Sequence, residues 1–130
     1  MTPSALLEVT RAPHTATVTL NRPEVRNAFN DALIAQLAAT FADLSTDTSL
    51  RCIVLAAHGK AFCAGADLNW MRAMADYSWE QNRADAQQLA DMLWTLYQSP
   101  GPWWAGCRAT AMRAAWVWRR CATCWWPATT

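Results

Sequence analysis

Apolar and threonine residues alternate over Thr15–Leu20, with Ala16, Val18 and Leu20 on one side and Thr15, Thr17 and Thr19 on the other. That period of two predicts a half-buried strand. A second β-prone run, Leu6–Arg11, precedes it. Pro13-His14 between the two reads as a turn, so the pair predicts a hairpin with His14 exposed at its tip. Leu33, Ile34, Leu37, Ala38, Phe41 and Leu44 recur at helical spacing and predict a helix over 31–44. Asn30 suits its N-cap and Asp31 its first turn. The polar stretch Asp43–Ser49 returns the chain to a sheet. Cys52–Ala57 is almost wholly apolar, as a strand covered on both faces reads. Strand, helix, strand implies a right-handed crossover with parallel pairing. Asp76–Ser99 reads as a second amphipathic helix with a capping box at Ser78 and Gln81. Ala86, Leu89, Leu93, Leu96 and Tyr97 form its apolar face, and Ser99-Pro100-Gly101-Pro102 ends it. A weaker strand signal lies near Pro102–Ala109.

Between the apolar strand and the second helix lies His58–Met71, H-G-K-A-F-C-A-G-A-D-L-N-W-M. Strand, small-residue loop and helix together are a common way to build a binding site. A loop with Gly59, Ala64, Gly65 and Ala66 leaves its backbone amides open to a ligand. From these features alone the loop reads equally well as a glycine turn between two elements.

Two motifs in fixed order decide between those readings. Gly59–Asp67 resembles the first signature of the enoyl-CoA hydratase/isomerase (crotonase) superfamily. Upstream, Asn21-Arg22-Pro23 with Asn27-Ala28-Phe29-Asn30 resembles that family's N-terminal signature. The resemblance covers about residues 5 to 100. It implies an α/β fold, the N-terminal part of a crotonase-like β-β-α spiral. The family's domain is roughly twice this length, so the chain reads as a truncated spiral, unstable and prone to aggregate through exposed edges and apolar faces. A finer similarity, in Asn69–Met74, Tyr77-Ser78, Asn82 and Ala84-Asp85-Ala86, points to the methylglutaconyl-CoA and isohexenylglutaconyl-CoA hydratase branch.

The resemblance also implies the chemistry. The ligand is an acyl-coenzyme A thioester. There is no separate cofactor, because coenzyme A is part of the substrate. Ala66 supplies, through its backbone N–H, one of two amides of an oxyanion hole around the thioester carbonyl. Donors fixed in advance where charge develops lower the barrier, and losing one costs roughly 3 kcal/mol. Ala64, Gly65, Asp67 and Leu68 match the part of the loop that wraps the adenine end, beside Ala28 of the upstream motif. Asp67 either meets the ligand or only fixes the loop, accepting local N–H bonds or capping a short helix at 69–75. Arg26 and Lys60 are placed to meet coenzyme A phosphates or to lie solvated on the surface. Trp70 and Met71 either line the acyl pocket or pack the helix. Cys63 has no base beside it in sequence and reads as packing, and His58 reads as a loop residue.

Composition changes this picture at one end only. The sequence has 130 residues, enough for one modest domain, and a net charge of +1. Residues 1–100 carry ten acids against seven bases, whereas residues 101–130 carry four arginines and no acid. Six of the nine tryptophans and three of the five cysteines fall in those last thirty residues. No basic start or long apolar run opens the chain, and no stretch reaches the ~18 apolar residues of a spanning helix. The odd cysteine count points to reduced thiols in the cytoplasm. Cys121 and Cys124 mimic half a metal knuckle with no second pair, so no metal is expected.

The hydratases of the family need a second glycine-rich loop, with the other oxyanion amide, and glutamates that handle water and the α-proton. No acidic residue follows Asp91 here. Where the family shows Pro-Val-Val, this chain shows Pro102-Trp103-Trp104. Consecutive TGG codons read one base off give GTG, or valine. The same shift turns Cys107-Arg108-Ala109 into a possible Val-Gln-Gly and Met112-Arg113-Ala114-Ala115 into a possible Tyr-Ala-Gly-Gly. Residues 1–100 therefore read as the acyl-CoA-binding half and 101–130 as a poorly ordered, out-of-frame tail. The other reading is a genuine Trp/Arg segment for membrane or single-stranded nucleic acid. The expected function is hydration of a 2,3-unsaturated acyl-CoA by the family enzyme, with an inactive fragment or an isomerase as alternatives. The expected partners are the acyl-CoA thioester, with no nucleic acid or membrane. The family forms trimers or hexamers through C-terminal elements.

Overall fold

The computed structural model describes residues 5–99, 103–107 and 124–127. Strands β1 (Leu7–Ala12) and β2 (Thr15–Leu20) form the expected hairpin, antiparallel from Leu7 opposite Leu20 to Ala12 opposite Thr15. Helix α1 (Asp31–Thr46) crosses over to β3 (Cys52–Ala57), which pairs parallel with β2. Helices α2 (Leu68–Met74) and α3 (Trp79–Gln98) follow. Then β4 (Trp103–Cys107) and β5 (Cys124–Pro127) extend the sheet in parallel, in the order β1-β2-β3-β4-β5. This is the α/β fold of β-β-α units expected for the N-terminal part of a crotonase-like spiral.

The period-two pattern of β2 holds fully: Ala16, Val18 and Leu20 are buried and the threonines are half-buried. The buried side of the sheet packs on Leu33, Ile34, Leu37, Phe41 and Leu44 of α1, and on Met92 and Leu96 of α3. Asn30 caps α1 through a bond from the Leu33 N–H at 3.0 Å. The helix runs two residues past the expected Leu44. Ser45 and Thr46 turn their hydroxyls back onto the carbonyls of Phe41 and Asp43, both at 2.7 Å, and so remain helical despite their polarity.

Three expectations are corrected. β3 is not covered on both faces, because only Ile53 and Leu55 are buried and Cys52, Val54 and Ala56 are half-buried. Small apolar residues lengthened the apolar run without marking a second packed face. In α3, Ala86 and Tyr97 are exposed, and Met92 takes the core position with Leu96. The helix also starts at Trp79, three residues later than expected. Ser78 is its N-cap, and Ala75–Tyr77 form the turn that leaves α2. β5 is a strand that the sequence pattern does not predict. The shifted-frame motifs between residues 108 and 123, and Cys121, lie outside the described residues.

Candidate functional site

The site is built by two loops that lock together. The first runs from Asn21 to Asn30 between β2 and α1, and the second from His58 to Asp67 between β3 and α2. Pro23 fixes the start of a short 3-10 turn, Pro23–Val25. Arg26 and Asn27 follow it in the left-handed region, each with φ of 54°. A non-glycine residue pays for that conformation in sterics, and Asn tolerates it better than most.

Asn27 is fully buried and satisfied on both sides of its amide. Its Nδ2 donates to the carbonyls of His58 at 2.7 Å and Ala61 at 2.8 Å. Its Oδ1 accepts from the Arg22 N–H at 2.9 Å. One side chain thus holds both loops. Arg22 adds a second tie, donating to the Ala28 carbonyl at 2.5 Å and to Asp67 Oδ2 at 2.9 Å. Gly59, with φ of 85°, lies against Pro23 so closely that a Cβ there would stand 2.9 Å from the Pro23 Cβ. Glycine is required at that position for both its conformation and its size.

Backbone bonds complete the crossing. The Ala64 N–H donates to the Arg26 carbonyl at 3.0 Å, the Phe29 N–H to Gly65 at 2.9 Å, and the Asp67 N–H to Phe29 at 2.9 Å. Phe29 and Ala66 therefore form an isolated parallel bridge. In such a bridge the flanking residues make the bonds, so the N–H and C=O of Ala66 itself are directed away from Phe29. Among the described residues the Ala66 N–H meets no acceptor. Gly65, with φ of 96°, supplies the bend that presents it.

Asp67 is buried and occupied. Oδ1 caps α2, accepting from the Asn69 N–H at 2.8 Å, and Oδ2 accepts from Arg22. Burial pushes the Asp67 carboxyl up. The Arg22 guanidinium and the N–H groups of Asn69 and Trp70 outweigh it and hold the pKa below the usual carboxylate value. Of the two roles left open for Asp67, both oxygens serve the loop-fixing one.

Beside the crossing lies an open cavity of about 540 Å³, lined by Pro23, Glu24, Arg26, Gly59, Lys60, Ala61 and Ala64. Two of the expected ligand residues, Arg26 and Ala64, face it, and Lys60 joins them. Ala28 is buried behind the crossing, while Leu68 opens α2 with 68% of its surface exposed. Met71 is exposed as well, and Trp70 packs against the core. The His58 side chain is exposed and pairs through Nε2 with Glu8 Oε2 at 2.9 Å. His14 is exposed on its turn. The sequence pattern assigns no role to Arg22 or Asn27. Their signal lies in the Asn-Arg-Pro…Asn-Ala motif, as polar residues in a loop with no element of its own to cap.

Among the described residues no cluster of three or more His, Cys, Asp or Glu side chains is arranged to hold a metal. No described helix is long and apolar enough to cross a membrane.

The profile of the family described as enoyl-CoA hydratase/isomerase matches residues 11–111. Among curated proteins, the chain is 51% identical over 53 residues to the 1,2-epoxyphenylacetyl-CoA isomerase of Escherichia coli, covering 41% of this chain and 20% of that one. It is 57% identical over 56 residues to a mevalonyl-coenzyme A hydratase of Beauveria bassiana, covering 43% and 20%. Among solved structures, it superimposes on the enoyl-CoA hydratase of Mycobacterium smegmatis with a TM-score of 0.73 at 40% identity, over 78% of this chain and 39% of that one. On the enoyl-CoA hydratase of Bacillus anthracis the TM-score is 0.82 at 25% identity, over 92% and 46%. The chain thus spans less than half the length of each of these relatives.

Proposed function

This chain belongs to the enoyl-CoA hydratase/isomerase family, and we propose that its two-loop crossing binds the thioester of an acyl-CoA through the N–H of Ala66. The observation that carries this reading is the Ala66 N–H, which meets no acceptor among the described residues and is held by the bridge to Phe29 and by the buried Arg22–Asp67 and Asn27 contacts. An amide already fixed in place stabilises the oxyanion of a thioester enolate without reorganising as charge appears. Arg26 and Lys60, on the cavity beside it, meet the phosphates of coenzyme A. The backbone at Ala64 and Gly65 wraps the adenine, and Ala28, Asp67 and Leu68 frame that turn. Trp70 and Met71 border the acyl group.

The reaction proposed for the family enzyme from which this sequence derives is addition of water across a 2,3-double bond, with methylglutaconyl-CoA-like substrates as one class. An isomerase is the second reading, since the relatives are named as both isomerase and hydratase. Hydration needs a carboxylate close to the transferred proton, and no acidic residue follows Asp91. The step proposed for the residues described is therefore binding of the thioester. The shifted-frame origin of residues 101–130 belongs to the same proposal. Resequenced coding DNA with stops in the shifted frame, or without a glycine-rich loop there, overturns that part.

The binding claim is tested by calorimetric titration of the chain with a non-hydrolysable acyl-CoA analogue and with coenzyme A. Ala66→Pro, which removes the N–H, is expected to abolish the preference for the acyl analogue. Ala66→Gly keeps the N–H and should preserve it. Equal affinity for the acyl analogue in all three proteins refutes the role of the amide.

A further inference from the structure

Helix α3 carries a third kind of surface besides its core-facing and solvated sides. Trp79, Arg83, Ala86, Ala90, Trp94 and Tyr97 follow one another at intervals of three and four residues, so they share one stripe along the helix. All six are exposed, with Trp79, Trp94 and Tyr97 at 69%, 57% and 62%. The core residues Met92 and Leu96 lie on a different face. Glu80, Gln87, Gln88, Asp91 and Gln98 form a third, polar one. Trp94 and Tyr97 are stacked, with ring centroids 5.6 Å apart, and the Arg83 guanidinium sits 5.5 Å from the centre of the Trp79 ring. Aromatic groups thus stand at both ends of the stripe and small residues at its middle.

We infer that this stripe is a self-association surface on which α3 of a second copy packs antiparallel. A two-fold interface must be complementary to itself, and the order of residues along the stripe meets that demand. With the axis midway between Ala86 and Ala90, Ala86 of one copy faces Ala90 of the other, where small side chains let the helices approach. Trp79 then faces Tyr97, and Arg83 falls beside Trp94. The cation that already lies on one indole meets a stacked aromatic pair across the axis, and the contact is made twice. The stripe spans 18 residues, or roughly 27 Å of helix. A single helix pair of that length buries less than the ~800 Å² per partner of a standard interface, so the dimer is reversible. This inference is independent of acyl-CoA binding.

Sedimentation equilibrium of the 130-residue chain across a concentration series tests it. The expected result is a weight-average mass rising from that of one chain towards two and stopping there. Arg83→Glu, on the surface and away from the core, is expected to weaken the dimer roughly 10-fold. The Trp94→Ala/Tyr97→Ala double variant should remain monomeric. Circular dichroism of both variants should match the parent, which separates lost association from lost folding. A parent mass that stays at one chain at every concentration overturns the proposal. So does association that is unchanged in both variants, because another surface must then carry it.

Discussion

The Arg22 guanidinium and the Asp67 carboxylate meet at 2.9 Å, 45 residues apart in sequence, with side chains only 13% and 9% exposed. This pair joins the two loops on either side of Ala66. Removing one member leaves the other charge partly buried and unpaired, which is more damaging than the absence of the pair. Asp67→Asn keeps the shape and a capping oxygen for Asn69 but loses the charge. It is expected to destabilise the fold by about 2–3 kcal/mol, read as a lowered urea midpoint with an unchanged slope. A loss under about 0.5 kcal/mol would show that the pair behaves as a surface ion pair.

The same carboxylate predicts a pH dependence. Burial raises its pKa, but Arg22 and the backbone donors lower it by more, so the folded value lies below that of the unfolded chain. A depressed carboxylate contributes stability above the unfolded pKa, about 3.9, and loses it as pH falls through the folded value. Asp47, held down by the Ser49 hydroxyl and N–H, acts in the same direction at the surface. Urea unfolding should therefore show stability level near neutrality and falling below about pH 4. In Asp67→Asn the decline should be shallower. An identical decline in the variant would place the effect on other carboxylates.

Asn27 is expected to matter more to the fold than its size implies. Asn27→Ala leaves the His58 and Ala61 carbonyls and the Arg22 N–H without their partner, and places a less tolerant residue at a φ of 54°. At about 1–3 kcal/mol for each buried unsatisfied group, the expected loss is about 3 kcal/mol or more. Amide exchange at Ala64 and Asp67 should speed up ahead of global unfolding, since those bonds cross the same junction. Uniform exchange across the chain would mean that the loops do not open separately.

The elements were largely legible because each had a local cause. Alternation set β2, the Asn30 cap and apolar spacing set α1, and the Ser78–Gln81 box set the start of α3. What failed was non-local. The apolar run of β3 does not reveal that Cys52, Val54 and Ala56 lack a tightly packed neighbour. Tyr97 follows the helical period of the core yet lies on the stripe beside Trp94. At the site, the glycines and small residues of the second loop were readable from sequence. The partners that hold them were not, because the Asn27 and Arg22 contacts join segments 31 to 45 residues apart.

Trp70 gives the opposite case from Asn27. Its indole packs against the core, but Nε1 is buried without a hydrogen-bond partner among the described residues, as is Oδ2 of Asp85. Asn27 is buried and fully paired, so removing it strands its partners. The Trp70 N–H strands none of the described residues when it is removed, because none of them accepts from it. Trp70→Phe keeps an aromatic ring in the same place and deletes a donor whose desolvation is uncompensated. Some apolar contact is lost with the smaller ring, at roughly 25 cal/mol per Å², and relief of the buried donor offsets it, at about 1–3 kcal/mol. The net change is expected to lie between neutral and about 1 kcal/mol more stable, measured by urea unfolding of the two proteins side by side. A destabilisation above about 1 kcal/mol would show that the indole N–H has a partner in solution.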